Sequence, residues 1–133
     1  MKVFEKSANG SWGNRLNFVD ANNVVLGYDY ESCCCENFYY YVTKTEPTKF
    51  DSEYEEVEIE AMNNDALYFD VSYNKELDTD CDYDYDEDGA TVFKVVGGET
   101  DLFIVLVNCH NGYYGRGFDM KNAEGKTIFE GSL

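Results

Sequence analysis

Six aspartates, Asp78, Asp80, Asp82, Asp84, Asp86 and Asp88, stand at every second position of one short stretch. In an extended strand alternate side chains fall on one side, which would set these carboxylates about 6.5–7 Å apart along one edge. Such a row repels itself unless a cation or a basic partner compensates it, and its regular spacing is comparable to that of backbone phosphates. Glu56, Glu58 and Glu60 repeat the pattern, with Val57 and Ile59 on the opposite face. The chemistry on offer is the binding of something positive: a basic protein groove that ordinarily holds nucleic acid, or a divalent cation.

The cation reading has a motif. Asp84, Asp86 and Asp88 followed by Gly89 match the first half of an EF-hand loop. The second half departs from it, because Val95 stands where a bidentate Glu is needed and Thr91 where an apolar residue is usual. The sequence therefore offers a weak Ca²⁺ site at residues 82–88, with Asp84, Asp86 and Asp88 as its ligands, outside the EF-hand geometry.

A second set of donors is the thiols. Cys33, Cys34 and Cys35 are consecutive, and Cys109 precedes His110, the only histidine. Cys33, Cys35, Cys109 and His110 are donors of the type that Zn²⁺ takes. Their spacing matches no C-x₂-C framework, and cysteines in a β-protein more often pack as small apolar groups. A metal or thiol enzyme around Cys33, Cys34, Cys35, Glu36 and His110 is the third-ranked reading. No motif places a Ser or Cys nucleophile and no phosphate-binding glycine loop appears. The sequence thus points away from an enzyme and calls for no cofactor other than the Ca²⁺ just considered.

The charge is as unevenly placed as the chemistry. The chain has 133 residues and a formal charge of −17. Residues 51–88 hold sixteen Asp or Glu and one basic residue, Lys75, a net −15. The remainder holds eleven acids and nine basic residues, a net −2. Halophile-type solvation would spread the acids over the whole surface, and here they are confined. A chain this acidic is not expected to bind nucleic acid or an anionic membrane directly. The longest apolar run, residues 102–107, is far shorter than a bilayer span. The opening MKVFEKSANG has no apolar h-region, so a cytoplasmic location with reduced thiols is expected.

The elements that must carry these groups read as strands. Residues 1–133 are expected to form one domain. Its 44% hydrophobic and 17% aromatic content suits a real core. Residues 14–20 and 24–28 read as a hairpin around Ala21, Asn22 and Asn23. Residues 38–43, 55–60, 66–73 and 126–133 read as further strands, with a helical turn within 60–65 as an option. Residues 80–87 and 91–96 flank an Asp-Gly pair, which predicts a tight hairpin. Residues 101–109, apolar on both faces, belong centrally in a sheet. Asn111 and Gly112 predict a second tight hairpin, with Tyr113 opposite His110, Tyr114 opposite Cys109, and Gly115 and Gly117 leaving a gap beside His110. The fold class is mainly β: a single antiparallel β-sandwich or partly open barrel with tight hairpins and at most one short helix.

Residues 27–36 (GYDYESCCCE) and 108–118 (NCHNGYYGRGF) resemble a small uncharacterised bacterial and phage-associated protein family with a Cys-Cys-Glu motif followed much later by His-Asn-Gly-Tyr-Tyr. That family often has His at the position of Arg116, so a two-histidine site does not carry over to this chain. The resemblance implies a prokaryotic or phage origin. Together with the acid row, it makes the leading expectation a non-enzymatic acidic interaction protein. Such a protein would be a nucleic-acid mimic that inhibits a basic, nucleic-acid-binding protein such as a defence nuclease, in the manner of anti-CRISPR or anti-restriction proteins. It would act in the cytoplasm, that of the host if phage-encoded. Glu56, Glu58, Glu60 and the six aspartates are the residues expected to meet the partner.

Overall fold

A computed structural model of the chain describes residues 1–7, 14–29, 36–48, 57–77, 89–110 and 117–133; for 5–7, 14, 36–38 and 109–110 it describes the backbone. Nine strands occur among them: β1 Lys2–Ser7, β2 Asn14–Val19, β3 Val25–Asp29, β4 Glu36–Thr43, β5 Tyr68–Leu77, β6 Gly89–Val96, β7 Leu102–His110, β8 Gly117–Lys121 and β9 Thr127–Ser132. They form two antiparallel sheets, one of order β1-β2-β3-β8-β9 and one of order β4-β7-β6-β5. The sheets do not close into a barrel, so the sandwich form of the expected fold is the one adopted. The single helical element among the described residues is a 3₁₀ turn at Ile59–Met62.

Period-2 alternation decides which side chains enter the core. From the five-stranded sheet come Leu16, Phe18, Leu26, Tyr28, Phe118 and Met120; from the four-stranded sheet come Val42, Phe93, Val95, Leu102, Ile104 and Leu106. Phe93 meets Phe118 edge-on with ring centroids 5.8 Å apart, and Phe18 meets Tyr40 in the same way at 5.5 Å. The outer face of the four-stranded sheet is buried as well, through Tyr41, Val92, Phe103, Val105 and Val107. β7 therefore needs apolar residues on both faces, and it lies centrally between β4 and β6, as its composition requires.

The β2–β3 hairpin forms as its sequence implies, with Val19 opposite Val25. Asp20 fastens its turn. One carboxylate oxygen accepts the N–H groups of Asn22 and Val24, both at 2.8 Å, and the other accepts the N–H of Phe69 on β5, also at 2.8 Å. One buried side chain thus ties a turn of the first sheet to an edge strand of the second. Asn23 takes a left-handed conformation (φ 57°), which asparagine tolerates well.

Three local expectations fail against long-range pairing. The Asp-Gly hairpin would set Glu87 opposite Ala90; instead Leu77 is opposite Ala90, and β6 has both hydrogen-bonding edges filled, by β5 and β7. The Asn-Gly hairpin would pair β7 with β8. β8 lies in the other sheet, paired with β3 and β9, so Gly117 is not a neighbour of His110 on one face. Residues 57–60 are not a strand: Val57 donates to the Val42 carbonyl at 2.7 Å, and the 3₁₀ turn begins at Ile59. Its Met62 is buried in the core while Ile59 is exposed.

Candidate functional site

Glu36 and His110, both singled out from the sequence, belong to strand ends at one end of the sandwich. On the five-stranded sheet, Arg15 pairs with Asp29 and Gly117 with Ser132. On the four-stranded sheet, Glu36 pairs with His110, Gly89 with Asn108 and Leu77 with Ala90. Two hydrogen bonds join the sheets at this end: the Tyr28 hydroxyl donates to the Val107 carbonyl, and the Asn108 amide to the Leu133 carbonyl, both at 3.1 Å. Tyr28 and Asn108 are fully buried, so the floor of this end is fixed. The strand ends that bracket residues 8–13, 30–35, 78–88 and 111–116 are all found here.

The predicted site residues divide accordingly. Glu56, Asp78, Asp80, Asp82, Asp84, Asp86 and Asp88 lie outside the described residues, as do Cys33, Cys34 and Cys35. What is defined is how residues 78–88 are held: they connect Leu77 of β5 to Gly89 of β6, ends of adjacent paired strands. Glu58 and Glu60 are exposed at the opposite end of the molecule, beside the 3₁₀ turn. Val57 is tied to Val42, six residues along β4 from Glu36, or about 20 Å of strand.

The EF-hand pattern does not survive the fold. Gly89 already belongs to β6, Thr91 is buried with its hydroxyl donating to the Lys75 carbonyl at 3.4 Å, and Val95 is fully buried in the core. The second half of the motif is a core strand and supplies no loop ligands. Among the described residues, no group of three His, Cys, Asp or Glu side chains is arranged to hold a metal ion.

The structure pairs Glu36, which follows the Cys33–Cys35 run in sequence, with the strand end that carries Cys109 and His110. β4 and β7 run antiparallel with Glu36 opposite His110 and Asn37 opposite Cys109. The local turn signal at Asn111-Gly112 hid this pairing. The readable sign was parity: Phe38, Tyr40 and Val42 on β4 oppose Asn108, Leu106 and Ile104 on β7.

A polar network that the sequence did not announce lies at the same end, on the outer face of the five-stranded sheet. The Arg15 guanidinium donates to Asp29 at 2.7 Å and also to Asp119 on β8, and Lys121 lies 3.7 Å from Asp119. Gly27 makes this reach available, because a Cβ there would fall 2.3 Å from the guanidinium. Beside it is an open groove of about 460 Å³ lined by Arg15, Asp29, Gly117, Asp119, Glu130 and Ser132. At the edge of the other sheet the Tyr73 hydroxyl donates to Glu46 at 2.8 Å. Burial, then this bond and the Glu46 charge, push the Tyr73 phenol up to about 12.

Fold and site together define a two-sheet antiparallel sandwich in which the backbone sets Glu36 opposite His110 at one end. Comparison with protein-family models, with curated proteins and with solved structures returned no match. No helix among the described residues is long and apolar enough to cross a membrane.

Proposed function

We propose that this protein is a non-enzymatic interaction module that occupies the basic, nucleic-acid-binding groove of another protein, such as a defence nuclease, through residues 78–88. The observation that carries the reading is the charge partition, a net −15 within residues 51–88 of a chain whose remainder is nearly neutral. Seven of those acids, with no basic residue, fall in residues 78–88. The fold supports the reading in one respect. That segment is anchored at both ends in adjacent strands of a sheet buried on both faces. A tethered, closed segment loses less conformational entropy on docking than a free acidic tail does. The setting this implies is the cytoplasm of a bacterial cell, with the resemblance to a phage-associated family pointing to a phage gene.

Glu58 and Glu60 follow Val57, whose N–H is bonded to Val42, about 20 Å along β4 from Glu36. The six aspartates are the densest part of the proposed surface, with Glu56, Glu58 and Glu60 as its second acidic group. The test is a pull-down of nucleic-acid-binding proteins from a bacterial extract at low and high salt, with competing DNA or RNA added. Capture of a basic partner should fall steeply with salt and be displaced by nucleic acid. It should also be lost when Asp78, Asp80, Asp82, Asp84, Asp86 and Asp88 are all changed to Asn. A partner retained by that variant, or undisturbed by nucleic acid, sinks the proposal.

A further inference from the structure

We propose that the outer edge of β1 is a docking site for an extended segment of another protein. That segment adds to the five-stranded sheet as a further antiparallel strand. It places an apolar side chain in the groove between β1 and the 3₁₀ turn and follows it with an acidic residue opposite Lys2. The proposal is independent of the acidic-segment reading and rests on different residues.

A comparison of the sheet edges carries it. The two sheets have four edge strands, β1, β9, β4 and β5. An open edge offers unpaired N–H and C=O groups to any chain that can lie along it, and proteins blunt such edges with bulges or cover them. Three of the four are treated in this way. β5 breaks register against β6 between Phe69 and Asn74, and β9 breaks register against β8 beside Met120 and Lys121. On β4 the Val42 carbonyl accepts the Val57 N–H. β1 keeps an unbroken register with β2 over six pairs, from Lys2 opposite Val19 to Ser7 opposite Asn14. Among the described residues β2 is its only strand partner. It also leaves Phe4 48% exposed.

The surroundings of that edge select the occupant. Val3 packs against the core, while Lys2 and Phe4 are exposed on the outer face, as strand alternation requires. On the Val3 side an open groove of about 360 Å³ lies between β1 and the 3₁₀ turn, with Val3, Ile59 and Met62 as its apolar lining. A strand laid along β1 presents every second side chain to this groove, and a Leu-sized group there covers the exposed Ile59. On the outer face the Lys2 ammonium has no ion-pair partner among the described residues. In an antiparallel ladder the residue after the one opposite Val3 lies opposite Lys2, so an acidic residue there completes a cross-strand charge pair. The strand's own charges oppose a second copy in this place. A two-fold pair of β1 strands centred on Phe4 sets Lys2 opposite Lys6 twice, and one centred on Glu5 sets glutamate opposite glutamate. One centred on Val3 leaves Lys6 and Ser7 out of the ladder.

The test titrates the full chain into fluorescein-labelled extended peptides and follows their anisotropy. The parent peptide carries Leu followed by Glu among Thr and Val residues. One version replaces the Glu with Lys, and another replaces the Leu with Ser. The parent should bind, the Lys version about two- to fivefold more weakly and the Ser version about tenfold more weakly. Lys2→Glu should reverse the preference between the Glu and Lys peptides. Ile59→Glu, at an exposed position, should remove the preference for Leu over Ser. Amide hydrogen exchange of the bound chain should slow along β1 and not along β5 or β9. Changing the six aspartates of residues 78–88 to Asn should leave that exchange pattern unchanged, so failure of the acidic-segment reading and failure of this one are told apart. No binding of the parent at about 1 mM, protection at another edge, or a Lys2→Glu chain with the original preference overturns the proposal. So does a dimer of the free chain whose protected amides are those of β1, since a second copy then fills the edge.

Discussion

At the scale of single residues, Asp20 and Tyr73 each make a polar contact between segments distant in sequence. Asp20 is buried and accepts three backbone N–H groups, one of them from the other sheet. Charged acceptors of this kind contribute more than neutral ones, and removing the acceptor strands buried donors. Asp20→Ala should cost about 3 kcal/mol, while Asp20→Asn keeps one acceptor oxygen and should cost roughly half as much. Urea unfolding checks this, as a lower midpoint at unchanged slope. Tyr73 makes a pH prediction. Its phenol is pushed up to about 12 in the folded chain, against 10.0 as its ordinary value. Between those values the folded state keeps a proton that the unfolded chain has released. The stability Tyr73 contributes is complete below pH 10 and is lost as pH rises through about 12. The gap in stability between the wild type and Tyr73→Phe should therefore narrow over that window, and Glu46→Gln should bring the phenol's titration, followed by NMR, to lower pH.

At the scale of elements, two glycines test how the strands are held. Gly97, which leaves β6, has a φ of +99°, and a Cβ there would fall 2.5 Å from the Ala66 carbonyl. Both the conformation and the backbone contact oppose a side chain, so Gly97→Ala should destabilise by about 2 kcal/mol or more. Gly27 also has a close approach, but the neighbour is the end of the flexible Arg15 side chain. Gly27→Ala should displace the guanidinium and lose its partly exposed ion pairs, with a stability change within about 1 kcal/mol of zero. Thermal melts of the two variants side by side check the contrast. The same distinction between local and long-range forces explains what the sequence could show. The β2–β3 hairpin and the central place of β7 were legible because turn residues and two-faced apolarity act locally. The pairing of Ala90 with Leu77 was not, since Asp88-Gly89 resembles a hairpin turn and only the burial of β6 between β5 and β7 outweighs it. β1 went unread because its KVFEKS offers the core face little apolar material, and it is held as an edge strand along β2. Of the candidate site, the residue types were legible and their meeting was not. His110 finds Glu36 through a β4–β7 ladder of eight pairs that no local turn signal encodes.

At the scale of the whole molecule, the question is what folding does to the concentrated charge. In the unfolded chain, residues 78–88 spread freely. In the folded chain their flanks are adjacent strand ends, Leu77 being opposite Ala90, so seven carboxylates share one closed loop. Charges confined between those ends repel one another wherever they lie within the Debye length, about 10 Å at 0.1 M salt, and such repulsion opposes folding. Adding NaCl from about 0.01 M, where the screening length is about 30 Å, to about 1 M, where it is about 3 Å, should raise the melting temperature. Each kcal/mol of relieved repulsion should be worth about 4 °C in a chain of this size. Changing the six aspartates to Asn should raise the melting temperature at low salt and flatten its salt dependence. Removing exposed acids outside the segment, Glu99, Glu124 and Glu130, should change it less per charge, because they are dispersed over a nearly neutral surface. A surface selected only for solubility would show equal effects per charge for both sets. A larger effect from residues 78–88 means that the fold holds these carboxylates together against their own repulsion, and a basic partner would supply the compensation that salt supplies in the test tube.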